Sequence, residues 1–317
     1  MKNVRAISLS LIAVAGLAAG MAHAQPAFTF STGTTDGRMA VGTRPESTGN
    51  IEIEAADDFL VPTEVRLTSA TFVGLIPLGA GLDTVEQVNI EIYRVFPLDS
   101  DTTRIIHVPT RNNSPSDNAF ATVDSVQYLN VQEVAPQLTA GNSVLNGIHQ
   151  SPAQNTQGEG PVTGREIQIT ASLNNPIDLP PGHYFFVPQV QLTSGQFFWL
   201  SAPKPITAGT PFNGDLQAWI RNSDLDPDWL RVGADIVGGT PAPAFNTTFS
   251  LTGTYVCYAN CDGSSVAPIL NVNDFQCFLN AFAAGSPYAN CDESTYPPVL
   301  NVNDFQCFIN RYAVGCS

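Results

Sequence analysis

Residues 258–285 and 288–315 are two copies of one segment, offset by 30 positions and identical at 19 of 28. Each copy opens on a short polar turn, Asn260-Cys261-Asp262 or Asn290-Cys291-Asp292, and ends in Leu-Asn-Val-Asn-Asp-Phe-Gln-Cys-Phe. Phe275, Phe278, Leu279 and Phe282 fall at i, i+3, i+4 and i+7, one apolar stripe of a helix, and Phe305, Phe308, Ile309 and Tyr312 repeat it. Gly285 and Gly315 stand where a C-terminal glycine cap belongs. A helix this short cannot bury a stripe alone. The two copies must therefore pack on each other, and cross-links must compensate for so small a core.

The cysteines supply those links. All six lie between Cys257 and Cys316, which points to disulfides formed in an oxidising compartment. The 30-residue period favours Cys261 with Cys277 and Cys291 with Cys307, leaving Cys257 and Cys316 to clasp the two ends. The cross-repeat pairing, Cys261 with Cys307 and Cys277 with Cys291, is equally symmetric and stays open. A four-cysteine zinc site is the weaker alternative, because no C-x-x-C spacing occurs.

The other end of the chain agrees with export. Lys2 and Arg5 precede an apolar run, Ile7 to Ala19, and Ala22-His23-Ala24 supplies small residues for cleavage. These are the parts of a signal peptide over 1–24, with the mature chain expected to start at Gln25. The apolar run is short for a membrane span, and no second one follows, so the expected location is secreted, extracellular or cell-surface. Beyond the leader the only lysine is Lys204, and the net charge is −15. That balance disfavours nucleic acid and anionic membranes as partners, since both demand clustered cations.

Residues 25–255 lack cysteine and must be held by a core. Period-two alternation runs through 64–73, 88–95, 166–169, 183–187, 197–200, 216–220 and 245–255, with turn clusters such as Leu179-Pro180-Pro181-Gly182 between them. The expected fold class is mainly β: an antiparallel β-sandwich, jelly-roll-like, followed by a small α-helical, disulfide-stapled module at 256–317. Helical periodicity is suggested only near Val126 to Leu138. Residues 112–164 read as a polar insertion ending in a long exposed loop, 150–164. Ala56-Asp57-Asp58-Phe59, the 179–184 turn and Phe249-Ser250-Leu251-Thr252-Gly253 resemble secreted bacterial β-sandwich domains that precede C-terminal anchors. That resemblance implies a shape and no reaction.

Catalytic signatures are sparse. His107, His149 and His183 form no HExxH or HxH arrangement, and no G-x-S-x-G elbow is present. His183, in an aromatic strand, reads as a half-buried, hydrogen-bonded imidazole. Carboxylates are numerous enough for a glycosidase or lyase pair, but spacing cannot show their separation in space. Asp224-Leu225-Asp226-Pro227-Asp228 reads as a solvated turn rather than a calcium ring. Trp199, Trp219 and Trp229 read as core.

The tail is more specific. Calcium loops place oxygen ligands at positions 1, 3, 5, 7, 9 and 12. With Asn260 as position 1, Asp262 and Ser264 take 3 and 5. Asn271 and Asp274 take 9 and 12 after a three-residue insertion. The second copy offers Asn290, Asp292, Ser294, Asn301 and Asp304. Together with the terminal Ala-Val-Gly-Cys, these motifs make the tail resemble a dockerin, of the cysteine-containing GC type, over about 60 residues. The resemblance implies two calcium sites as cofactor positions and docking onto a cohesin-like or other cell-surface scaffold protein. It assigns partner recognition to Val272, Asn273, Val302 and Asn303. The tail departs from the ordinary pattern in its longer loop, its lack of a glycine at position 6, and Asn in place of Asp at position 1. Fewer carboxylates imply weaker calcium binding, and a disulfide-held helix pair without an ion is the plainer alternative. The functional expectation is an exported, non-catalytic β-sandwich attached through this module. The alternative is a polysaccharide-binding or polysaccharide-degrading domain delivered by the same tail.

Overall fold

A computed structural model describes residues 27–103, 112–149, 155–204, 214–264, 268–292 and 294–315. The leader expectation and His107 therefore lie outside the described residues. The chain divides into two compact units, with the boundary between Val256 and Cys257. No helix among the described residues is long and apolar enough to cross a membrane.

The first unit is built of strands. In chain order they are β1 (Ala27–Ser31), β2 (Ala40–Gly42), β3 (Ile53–Val61), β4 (Val65–Ile76), β5 (Val85–Val95), β6 (Pro115–Val123), β7 (Tyr128–Ala140) and β8 (Ser143–Val144). They continue as β9 (Val162–Leu179), β10 (Gly182–Leu192), β11 (Phe198–Ala202), β12 (Trp219–Asn222), β13 (Leu230–Arg231), β14 (Asn246–Thr247) and β15 (Phe249–Tyr255). One six-stranded sheet runs β13-β12-β3-β10-β5-β6. A nine-stranded sheet runs β1-β15-β4-β11-β2-β8, with β9 and β7 continuing from β4 and β14 beside β11. Every pairing is antiparallel except that of β2 with β8.

Alternation puts one face of each strand inward, and the inward aromatics of the two sheets meet. Phe186 of β10 stacks on Phe249 of β15 at 5.1 Å, and Phe72 of β4 and Trp199 of β11 lie 6.1 and 5.9 Å from Phe186. Phe59 of β3 closes on Phe249 from the other side at 6.4 Å. Trp199 satisfies its indole by donating to the Thr248 carbonyl at 2.9 Å. Trp219 and Trp229 are buried as well, in a separate apolar cluster with Tyr93 and Phe185. All three tryptophans are thus core residues.

Two expectations are corrected. The helix suggested near Val126 to Leu138 is strand β7, whose partner along its length is β9. Leu129 and Val131 pack inward at alternate positions, and sheet pairing overrides the weak helical spacing. Pro136 is accommodated because β7 is an edge strand whose missing N–H can face away from the ladder. Residues 112–164 are likewise no mere insertion, since they contain β6, β7 and β8.

The second unit carries two helices, α1 (Val272–Ala283) and α2 (Val302–Val314). Both start with reciprocal capping boxes: Asn271 with Asp274, and Asn301 with Asp304. Each box satisfies N–H groups that a helix start leaves open, at about 1 kcal/mol. Phe278 and Phe308, one from each helix, are fully buried and stack at 4.2 Å. Cys261 is bonded to Cys277 and Cys291 to Cys307, each with Cα atoms 5.7 Å apart. A cross-link over a separation of 16 residues stabilises by about 3 kcal/mol. Cys316 lies outside the described residues, and the expected Cys257–Cys316 clasp with it.

The aromatic seam of the first unit yields a direct expectation. Phe186→Ala should lower its unfolding free energy by about 3–5 kcal/mol, because one ring contacts Phe72, Trp199 and Phe249 at once. Guanidinium unfolding followed by tryptophan fluorescence measures this. A loss below about 1 kcal/mol would show that the seam does not hold the sheets together.

Candidate functional site

The duplicated tail folds with internal twofold character. Tyr258 and Tyr288 stack at 4.8 Å, and each phenol donates to the other's backbone carbonyl, at 2.5 and 2.6 Å. Phe305 packs against Phe278 and Phe282, at 5.3 and 4.6 Å. The two polar turns therefore sit in equivalent surroundings at the starts of two helices.

Within each turn the oxygen-bearing residues converge. In the first copy, Asp274 Oδ1 accepts the Asp262 N–H at 3.2 Å and Oδ2 accepts the Asn271 N–H at 2.7 Å. Asp262 Oδ1 accepts the Ser264 N–H at 2.9 Å, and Ser264 Oγ lies 3.4 Å from Asn260 Oδ1. The second copy repeats these bonds through Asp304, Asp292, Ser294 and Asn290, at 3.2, 2.7, 3.0 and 3.5 Å. Asn271 and Asn301 also cap their helices, accepting from the backbone N–H of Asn273 and Asn303 at 2.8 Å. Asp274 and Asp304 are wholly buried at the first turns of their helices. The Ser264 N–H holds the exposed Asp262 carboxyl below its usual range, aided by the side chains of Ser264, Asp274 and Asn271.

This donor set fits a hard cation in kind. Each turn gathers two carboxylates, two amide oxygens and a hydroxyl, and calcium prefers such oxygens. The carboxylate count is low: among the described residues, no group of three or more His, Cys, Asp or Glu is placed to hold a metal ion. The carboxylate oxygens already accept backbone N–H groups, so the turn is shaped by its own hydrogen bonds. Zinc ligation by the four repeat cysteines is overturned, because their sulfurs are consumed in disulfides.

The residues assigned to partner recognition face outward. Val272 and Val302, at the first turn of each helix, are both 76 % exposed, and Asn273 and Asn303 beside them are exposed too. Tyr296, Ile309 and Val314 add exposed apolar surface in the second copy.

The first unit holds a polar cluster that the sequence did not reveal. On the outer face of the six-stranded sheet, the Arg221 guanidinium donates to both carboxylate oxygens of Glu54, and to Tyr93 Oη at 2.9 Å. Tyr93 in turn bonds Glu54 at 2.8 Å and Glu91 at 3.0 Å. Burial first, and the Glu54 charge second, push the Glu91 carboxyl up to about 8. One cation, Arg221, serves this group, and it also pairs with Asp226 at 2.6 Å. Within the 224–228 turn, read as solvated, Asp226 is exposed and bound to Arg221, whereas Asp228 is buried. His183 bonds Asp58 at 2.6 Å, as a half-buried imidazole in a strand should. The local signal available for the cluster was Glu91 and Tyr93 at alternate positions of β5, but Arg221 lies 167 residues away from Glu54.

No family model, curated protein or solved structure matches this chain.

Glu91 makes stability pH-dependent in a known sense. Its carboxyl titrates at about 8 in the fold, against an ordinary 4.5. Folding therefore takes up a proton, and the group's contribution is full below 4.5 and lost as pH rises through 8. Glu91→Gln should flatten this slope, gaining on the wild type between about pH 5 and about pH 9 in urea midpoints. Parallel profiles for the two proteins would contradict the placement.

Proposed function

We propose that the chain is an exported, jelly-roll-like β-sandwich protein attached to a cell-surface or scaffold partner by a calcium-binding, dockerin-like C-terminal module. The reading is supported above all by the paired turns, where Asn260, Asp262, Ser264 and Asp274 converge and their counterparts repeat the arrangement. Asn260, Asp262, Ser264, Asn271 and Asp274 would hold one ion, and Asn290, Asp292, Ser294, Asn301 and Asp304 the other. The ion supplies positive charge that neutralises Asp262 and Asp274 and ties the turn to the helix start. The chain's own residues do the rest: the disulfides hold turn to helix, and the Phe278–Phe308 stack fixes the helices. Val272, Asn273, Val302 and Asn303 are thereby presented as a rigid face. Rigidity matters because ordering a flexible surface on binding would weaken docking.

One observation favours a second reading, polysaccharide chemistry or binding in the first unit. Glu91, held neutral to about 8, stands beside Glu54, whose carboxylate is clamped by Arg221. A carboxyl held protonated beside a carboxyl bound by an arginine is an arrangement that acid–base catalysis can use. Against it, the three tryptophans are buried and offer sugars no stacking surface.

Calorimetric titration of the purified chain with calcium tests the main reading. Two sites should appear, with Kd of roughly 10⁻⁵–10⁻³ M, and Asp274→Asn with Asp304→Asn should abolish the heat while leaving the helical circular dichroism intact. Absence of heat in the wild type at millimolar calcium would remove the ion from the account. Capture of a surface partner that persists in chelator would do the same for its role in docking.

A further inference from the structure

Lys204 stands in an unusual setting. The chain has two lysines, Lys2 and Lys204, so this is the one reactive amine side chain in the described residues. It follows β11, and Asn246 opens β14; the two strands pair with Ala202 opposite Asn246. The Nζ of Lys204 lies 3.4 Å from Asn246 Oδ1 and 3.1 Å from Asp215 Oδ2, and donates to the Asp215 carbonyl at 2.9 Å. Asn246 donates from Nδ2 to the same Asp215 Oδ2 at 3.3 Å. A single carboxylate oxygen thus touches the amine and the amide nitrogen, while the amine faces the amide's carbonyl side. Asn246 is 1 % exposed, and the side chains of Lys204 and Asp215 are largely shielded.

A second carboxyl, Asp57 of β3, adjoins this group. It is buried, its Oδ2 accepts from Thr247 N–H at 2.6 Å and Oγ1 at 3.2 Å, and its Oδ1 has no hydrogen-bond partner. Burial and the nearby Asp58 charge hold this carboxyl well above the usual range. A neutral Asp57 adds no second negative charge beside the amine, so Asp215 is the one carboxylate that handles its proton.

We propose that Lys204 and Asn246 become joined by an intramolecular isopeptide bond, with Asp215 as the proton relay. Asp215 removes a proton from the ammonium, and the free amine attacks Cγ of Asn246. The Nζ–Cγ bond forms as electrons move to Oδ1. They return as the Cγ–Nδ2 bond breaks, with Asp215 passing the first proton to the departing nitrogen; the second proton of the attacking nitrogen then follows to the released ammonia, making it ammonium. Ammonium and amide go in, a secondary amide and an ammonium ion come out, and no oxidant or co-reactant is needed. A primary-amide nitrogen is a poor leaving group in water. Here it is held against its proton donor, in a shielded site where attack is intramolecular. The product would tie the end of β11 covalently to the start of β14 in a unit that has no disulfide among its described residues.

Mass spectrometry of the full chain decides the matter. A protease digest of reduced protein should contain a branched peptide joining the Lys204 and Asn246 segments, lighter than their sum by one ammonia, about 17 Da. Fragmentation at the branch separates this from ammonia lost by glutamine cyclisation or succinimide formation. Lys204→Arg should lack the branch. Asp215→Ala should form it at least about 10-fold less at matched near-ultraviolet circular dichroism. Quantitative recovery of linear Lys204 and Asn246 peptides from the wild type overturns the proposal, and that reading needs no variant to fold. A branch to Asp215 with loss of water overturns the choice of Asn246, and an undiminished link in Asp215→Ala overturns the relay.

Discussion

The tail depends on one stack. Phe278 and Phe308 lie 4.2 Å apart and close to parallel, wholly buried, at the meeting of two helices too short to stand alone. Around that pair the remaining contacts come in reciprocal sets: tyrosine on tyrosine, each phenol on the other's carbonyl, and matching turns tied to matching helices. A duplicated sequence can reach such an arrangement because each copy supplies the surface that the other lacks. The disulfides do not create the seam, since each lies within one copy, linking a turn to its own helix. They reduce the freedom of each half, and the rings then join the halves.

The first unit solves its problem with area instead of cross-links. Its two sheets meet through Phe59, Phe72, Phe186, Trp199 and Phe249, while polar chemistry is confined to particular strands. Strand β3 carries most of it. Glu54 is clamped by Arg221, Asp57 reaches across to Thr247, and Asp58 holds His183 and the Leu216 N–H. Buried carboxylates are costly unless paired, and here the pairing is uneven: Glu54 is bound by the Arg221 guanidinium, whereas Glu91 and Asp57 are pushed toward the neutral form. The Ala56-Asp57-Asp58-Phe59 motif thus reads as a strand whose adjacent acids bond to different partners.

Legibility in the sequence tracked the range of the interaction. Helices α1 and α2 were readable because Phe275, Phe278 and Phe282, and their counterparts, lie within two turns of one another. The alternation of 88–95 and 183–187 marked β5 and β10 for the same local reason. Residues 126–138 suggest a helix although most of them belong to β7, because β7 owes its form to β9 and its own spacing is ambiguous. Asn271 and Asp274 were placed in a cation loop by their spacing. The structure adds that the pair is also a capping box, a role the same spacing carries. Groups such as Glu54–Arg221 and Lys204–Asp215–Asn246 were invisible, since nothing local links residues that the sheet brings together.

The claim that the two copies form one cooperative body is most directly tested by hydrogen exchange on Phe278→Ala, followed separately in α1 and α2. The ring belongs to α1, but the account predicts that amides of both helices lose protection together and to a similar degree. Retention of wild-type protection in Val302–Val314, while Val272–Ala283 opens, would contradict it and leave two independent, disulfide-held turns.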